Sequence, residues 1–255
     1  MKRILILCCS AFLLFACSKK SVTVSNSAVT AITVDARYDN PDNAYHALLA
    51  PVKASVDSQM NIVIGHAERN MTGHRPESLL SNWESDAILE IGSEMLGRPA
   101  DVAIMNMGGI RRDMPAGDIT VGRIYELMPF ENKVVFIELS GADLDSLCQN
   151  FAVAGGQGVA GMSFAISHAR ATDIRVQGNP IDHERTYTIV TSDYLAGGND
   201  QMEPLQKGVL TKTDNTLRDL FMQKVMRETA AGRNVDAQLD GRIVYYDAAS
   251  EMRAD

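Results

Sequence analysis

Cysteine is scarce where it could crosslink the chain. Of the four cysteines, Cys8, Cys9 and Cys17 lie at the N-terminal end and only Cys148 lies beyond them. Once the leader is removed and Cys17 is used, no intrachain disulfide is possible, so a core of ordinary size must hold the fold. Cys148 shares a helical face with Leu144 and Leu147 and has no histidine at a recognisable spacing, which predicts a buried, inert thiol. Long apolar runs are also missing. The one candidate, Ile4 to Ala16, has thirteen residues, short of the ~20 that span a bilayer. Basic residues are few: 24 Lys and Arg stand against 32 Asp and Glu, a formal charge of −8, and no basic cluster follows Lys19-Lys20. Nucleic acid is thereby excluded as a partner, since phosphate neutralisation needs grouped cations.

Catalytic signatures are absent too. The five histidines, His46, His66, His74, His168 and His183, show no metal-ligand spacing, and His183-Glu184 lacks the second histidine of a zinc helix. There is no Gly-x-Ser-x-Gly elbow and no phosphate-binding P-loop. No catalytic residue and no metal ligand can be named in this chain, and no cofactor of its own is expected.

What is present begins with an address. Lys2 and Arg3 precede the short apolar run, which ends Ala16-Cys17-Ser18. This is the pattern of a bacterial lipoprotein signal, with residues 1–16 removed and lipid carried on Cys17; a secretory signal with an incidental cysteine is the plainer alternative. The expected product is exported and lipid-anchored to a bacterial membrane, facing the periplasm or the cell surface. Leaving out Lys2 and Arg3 gives 22 basic against 32 acidic residues, a formal charge of −10. Residues 17–42, rich in Ser, Thr and Val, read as a tether with a β-like stretch near Ala31 to Ala36. Residues 43–250 read as one domain.

Within that domain, periodicity predicts helices over 43–61, 78–96, 121–128, 141–151 and 216–228, and strands over 62–65, 101–105, 133–140, 162–167, 174–176, 187–192 and 242–246. The strongest helix carries Leu79, Leu80, Trp83, Ala87, Ile88, Ile91 and Met95 as one stripe. Helices and strands mix without strict alternation, which implies an α+β (mixed α/β) domain with a mixed sheet and flanking helices.

Three loops carry unusual residues. Asn106-Met107-Gly108-Gly109-Ile110-Arg111 follows a buried strand; its glycines allow close backbone approach and Arg111 can grip an anion. Pro129-Phe130 fixes an aromatic face in a turn. Asp193 to Asp200 reads as a glycine-rich loop holding Tyr194 and Asp200. Two aromatic faces suit a planar base, and an aspartate suits paired hydroxyls. Alone, each is matched by a bland reading: a Gly-Gly turn with a solvated arginine, or an aromatic core plug.

The order of these loops resembles the C-terminal, substrate-binding domain of the 5'-nucleotidase family. That family has Asn-Gly-Gly-Gly-Ile-Arg, a Gly-x-Ile-Thr segment before a Pro-Phe turn, an aromatic-Leu-Ala-x-Gly-Gly-Asp loop and a closing Asp-Gly-Arg-Ile. Here they read Asn106 to Arg111, Gly117 to Thr120, Pro129-Phe130, Tyr194 to Asp200 and Asp240 to Ile243, with Glu77-Ser78, Asn82 and Asp86-Ala87 at the helix entry. Met107 and Asn199 stand where the family has glycines, and Pro76 follows Arg75 where an arginine is usual before Glu77.

The resemblance implies substrate-binding residues Asn106, Gly108, Gly109, Arg111, Phe130, Tyr194 and Asp200. Phe130 and Tyr194 would sandwich the base, Asn106 would meet base or sugar, Asp200 the ribose and Arg111 the phosphate. It further implies a nucleotide or nucleoside as ligand. The family's metallophosphoesterase domain, which carries divalent metals, has no counterpart here, so a separate partner chain is expected to supply them for nucleotide catabolism or salvage. A stand-alone nucleoside-binding lipoprotein, or a structural domain that has lost its ligand, are the alternatives.

Overall fold

The computed structural model describes residues 30–31 and 44–246. The leader, Cys17 and nearly all of the tether lie outside the described residues. The chain divides into two compact units, Met1–Leu49 and Ala50–Asp255. Helix α1 (Ala44–Met60) forms where periodicity predicts it, but none of its residues is buried: Leu48, Leu49, Val52 and Val56 all stay exposed.

The remaining elements are β1 (Val63–Ala67), α2 (Leu79–Leu96), β2 (Val102–Met105), β3 (Gly117–Thr120), α3 (Val121–Leu127), β4 (Lys133–Ser140), α4 (Gly141–Val153), β5 (Gly158–Ala160), β6 (Met162–Ser167), β7 (Arg170–Val176), β8 (Asn179–Pro180), β9 (Thr186–Ser192), α5 (Asp193–Ala196), β10 (Val209–Thr216), α6 (Leu217–Ala230) and β11 (Ile243–Tyr245). They build three sheets: β1 with β3; a central sheet in the order β10-β4-β9-β2-β5; and β11-β6-β7-β8. The central sheet is mixed. β9 runs parallel to β2, while β4 is antiparallel to both β9 and β10 and β5 is antiparallel to β2. The α+β architecture with a mixed sheet is the one expected.

Alternation sorts the side chains of the central sheet into two cores. Ala103, Met105, Val134, Phe136 and Val190 face α2 and α6, where Trp83 and Phe221 meet at a ring-centroid distance of 5.5 Å. Val102, Ile104, Ile137, Leu139, Tyr187 and Ile189 face α4 and the β6–β7 hairpin. Cys148 belongs to this second core, fully buried, and burial pushes its thiol pKa up.

The buried face of α2 carries the expected apolar stripe together with the polar residues Ser81, Asn82 and Ser85, all hydrogen-bonded, and one carboxylic acid. Glu84 is fully buried among those residues, and neither carboxyl oxygen has a hydrogen-bond partner among the described residues. Burial alone holds its pKa well above the ordinary carboxylate value. The folded state therefore binds this proton more tightly than the unfolded chain. Its contribution is intact below about pH 4.3 and is lost as pH rises toward the raised folded value. Glu84→Gln removes the titration, so its melting temperature should gain on wild type between pH 5 and pH 8. At about 2–4 °C per kcal/mol for a chain of this size, the gain is measurable by calorimetry. Parallel melting curves across that range would contradict the assignment.

Candidate functional site

The topology of the central sheet brings the three unusual loops to one edge. Because β2 and β9 are parallel, their C-terminal ends lie side by side, and Val102 pairs with Ile189. Asn106 leaves the first end and Asp193-Tyr194 the second. β4 runs the other way and starts there, with Val134 opposite Ser192. The Met128–Asn132 turn that precedes β4 thus abuts the loop that follows β9. Crevices outside the carboxyl ends of strands are the usual place for ligands in α/β sheets.

The result is a cleft of about 300 Å³ lined by Asn106, Gly108, Arg111, Phe130, Asn132, Tyr194 and Asp200. Six of the seven residues expected from sequence meet in it. The seventh, Gly109, lies beneath: it is buried, and a Cβ there would sit 3.3 and 3.4 Å from the terminal methyls of Met105 and Met128. It sets the closeness of the loop to the core and does not line the cleft.

Each wall is held by identifiable bonds. The Asn106 side-chain oxygen accepts from the Gly108 amide at 2.7 Å, closing the 3-10 turn Met107–Gly109, and buried Gln157 accepts from the Met107 amide at 3.3 Å. That leaves the Asn106 amide nitrogen without a partner among the described residues, free to donate. Arg111 donates to the Gly108 carbonyl at 3.4 Å, and its guanidinium carbon lies 6.0 Å from the Phe130 ring centroid.

Tyr194 lies on α5, a short helix where a loop was expected; Ser192 caps it by accepting from the Leu195 amide at 3.2 Å. The Tyr194 hydroxyl donates to Asp200 Oδ1 at 3.1 Å. That hydrogen bond, with desolvation and the carboxylate's charge behind it, raises the phenol pKa above its ordinary value. Asp200 Oδ2 is left to accept.

Asp200 adopts φ 57°, ψ 39°, a left-handed conformation that aspartate tolerates better than most residues. The surrounding loop is pinned by three amide side chains: Asn199 donates to the Tyr194 carbonyl, Gln206 to that of Gly197 and Asn150 to that of Gln201, each at 2.7 Å. Asn199 thus performs a task that the glycine usual in the family could not. Arg75 does not line the cleft; Asp200 and Tyr245 are its electrostatic neighbours, and burial, the largest influence, lowers its pKa.

Sequence reasoning missed Arg218. Its side chain is 7% exposed and enters from α6 beneath the Phe130 turn. One guanidinium nitrogen donates to the carbonyls of Met128 (3.5 Å) and Pro129 (3.4 Å), the other pairs with Glu131, and the guanidinium carbon lies over the Tyr125 ring, 4.1 Å from its centroid. The Leu217 amide binds the Asn132 carbonyl at 2.9 Å, and Lys133 N donates to Asp193 Oδ1 at 3.0 Å, which joins the Phe130 turn directly to the Tyr194 helix.

The other signature residues act elsewhere. Arg242 binds Asp86 (2.7 Å), Asp240 (2.8 Å) and the Val159 carbonyl (2.9 Å), while Glu77 accepts from Asn82 (2.6 Å) and from the Asp240 amide (3.0 Å). They staple the C-terminal stretch to α2. Arg242 holds the Asp240 carboxyl below its ordinary pKa, first through their hydrogen bond. Among the described residues no group of three or more His, Cys, Asp or Glu is placed to hold a metal ion, so they do not fit a divalent-metal centre.

Arg218→Met should free the Phe130 turn. Amide exchange at residues 130–133 is expected to quicken by about tenfold or more, the equivalent of one charge-assisted hydrogen bond. Protection along β9 should change far less. Unchanged exchange in the turn, measured by mass spectrometry, would show that Arg218 does not hold it.

A solved structure shares this fold, and curated proteins resemble it in sequence. A 5'-nucleotidase precursor from Thermus thermophilus superposes with a TM-score of 0.69 and 29% identity over 80% of this chain and 43% of its own. The silent protein UshA(0) of Salmonella typhimurium is 28% identical over 60% of this chain and 29% of its own length. The cell wall protein Lmo0130 of Listeria monocytogenes is 26% identical over 86% of this chain and 31% of its own. The chain spans under a third of the length of these two curated relatives. Residues 63–207 match the family model described as the 5'-nucleotidase C-terminal domain, more than half of the chain. By that match, and by the shared fold, the chain belongs to the 5'-nucleotidase C-terminal domain family.

Proposed function

We propose that this chain captures a nucleotide or nucleoside in the cleft at the edge of the central sheet and positions it for phosphate-ester hydrolysis by a metallophosphoesterase carried on a separate chain. One observation carries the reading: two exposed aromatic residues, Phe130 and Tyr194, line one cleft together with an aspartate, an arginine and an asparagine. A base stacked on an aromatic ring gains ~1–3 kcal/mol with little dependence on its identity. Asp200 Oδ2 is an acceptor for ribose hydroxyls, the Asn106 amide a donor for base or sugar, and Arg111 a fork for the 5'-phosphate.

The chain's part in hydrolysis is then orientation. Holding a phosphate ester rigidly against a reactive centre converts a bimolecular encounter into a local one, a saving that reaches several kcal/mol in well-aligned systems. Among the described residues no group of three or more His, Cys, Asp or Glu is placed to hold a metal ion, and the matched relatives extend far beyond the part shared with this chain. Divalent metals on the partner would supply the nucleophile and polarise the phosphoryl group. Lipid on Cys17 would keep the chain at the membrane outside the cytoplasm, and likeness to a Listeria cell wall protein agrees with export. Among the described residues no helix is long and apolar enough to cross a membrane.

Phosphate release from AMP with divalent metal measures this directly. The chain alone should release none. One metallophosphoesterase from the same genome should turn over AMP faster when the chain is added, and lose that gain with Phe130→Ala, Tyr194→Ala. No change with any such phosphoesterase, or metal-dependent hydrolysis by the chain alone, would overturn the split arrangement.

A further inference from the structure

Beside the cleft, and sharing Arg111 with it, lies a second and larger recess of about 460 Å³. Its charged lining is Arg111, Arg112, Arg123 and a single carboxylate, Asp113. Three guanidiniums in one recess stand out in a chain of formal charge −8. Arg123 has a neighbour in Glu126, 2.9 Å away on the same helix, but that pair is exposed and correspondingly weak. Arg111 and Arg112 have no carboxylate within ion-pair distance among the described residues, and both are exposed. By contrast, Arg242 is paired with Asp86 and Asp240, and Arg233 with Glu228.

The recess is framed by backbone. Met71 and Met114 exchange both amide-to-carbonyl bonds, at 2.8 and 3.0 Å. The Ala116 amide donates to Asn70 Oδ1 at 2.8 Å, and the Arg111 amide to the Leu127 carbonyl at 3.0 Å. Residues 111–116 are therefore fixed at both ends, and Arg111 and Arg112 leave adjacent points of that frame. Arg123 comes from α3, whose first turn is capped by Thr120 at 3.1 Å. Guanidinium forks held on a fixed frame suit a phosphoryl group, whose oxygens they can grip bidentately and whose multiple charge several of them can share.

We propose that this recess is a phosphoryl-binding subsite distinct from the base cleft, with Arg112 and Arg123 as its own ligands and Arg111 as the bridge between the two. The phosphoryl group has two possible sources. It is the second phosphate of a nucleotide whose base lies between Phe130 and Tyr194, which rests on the capture reading above, or it is free orthophosphate, which does not.

Calorimetry on the full chain in detergent, with adenosine, AMP, ADP and orthophosphate, separates them. If the nucleotide supplies the group, ADP should bind about tenfold or more tighter than AMP, the scale of one charge-assisted bidentate contact. Arg112→Ala, Arg123→Ala should erase that advantage and leave adenosine and AMP unchanged. Salt should shrink the advantage as well. If orthophosphate is the occupant, it should bind the AMP-saturated chain, and the same double variant should abolish that binding. Both results support the subsite.

Orthophosphate binding that the double variant abolishes, with no adenosine binding at all, would keep the subsite and remove the capture reading. The subsite falls if ADP and AMP bind alike and orthophosphate does not bind, or if either effect survives the double variant. The single variants Arg112→Gln and Arg123→Gln, at surface positions with unchanged melting temperatures, guard against loss through misfolding.

Discussion

The parallel pairing of β2 with β9, set against the opposite run of β4, is the constraint on which the site depends. It places two strand exits and one strand entry at the same edge, so three segments distant in sequence are forced together without any need for their loops to be long. The hydrogen bond from Lys133 N to Asp193 Oδ1 then ties the turn before β4 to the helix after β9. Phe130 and Tyr194, three residues before one end of that bond and one after the other, inherit their separation from it. Arg218 completes the arrangement from below, where a side chain without a donor would leave the carbonyls of Met128 and Pro129 without this partner.

The family's signature residues divide by task. Asn106, Arg111, Phe130, Tyr194 and Asp200 converge on the cleft. Glu77, Asn82, Asp86, Asp240 and Arg242 form a network that holds the closing strand against α2. The second group ties the C-terminal stretch to α2 and β5; an arginine with two carboxylates and a carbonyl is anchored, not available to a ligand.

Much of the fold was legible. The alternation in Lys133 to Ser140 and the stripe on Ser78 to Leu96 reflect burial on defined faces, and the elements form there to within a residue or so. The missed strand β10 shows why the rest was not. Val209 to Thr216 contains Lys212, Asp214 and Asn215 and is exposed along most of its length; it is a strand because β4 offers an unpaired edge, and no local propensity reports that. Asp193 to Ala196 was obscured by the glycines that follow it. Glu84 sat unseen inside an apolar stripe, and Arg218 looked like one more polar residue on an amphipathic helix until the packing of α6 under the Phe130 turn gave it partners. In the site, residue types and order pointed to three loops that meet in one cleft, but the packing position of Gly109 beneath it and the place of Arg111 between two recesses are properties of three-dimensional placement.

The central claim is that Phe130 and Tyr194 form one stacking site. The most direct measurement is calorimetric titration of the chain with adenosine, beside the Phe130→Ala, Tyr194→Ala variant. The account predicts binding by the wild type and its loss in the variant, with the variant still unfolding cooperatively because neither side chain belongs to the buried core. Undiminished adenosine binding by the variant would contradict it.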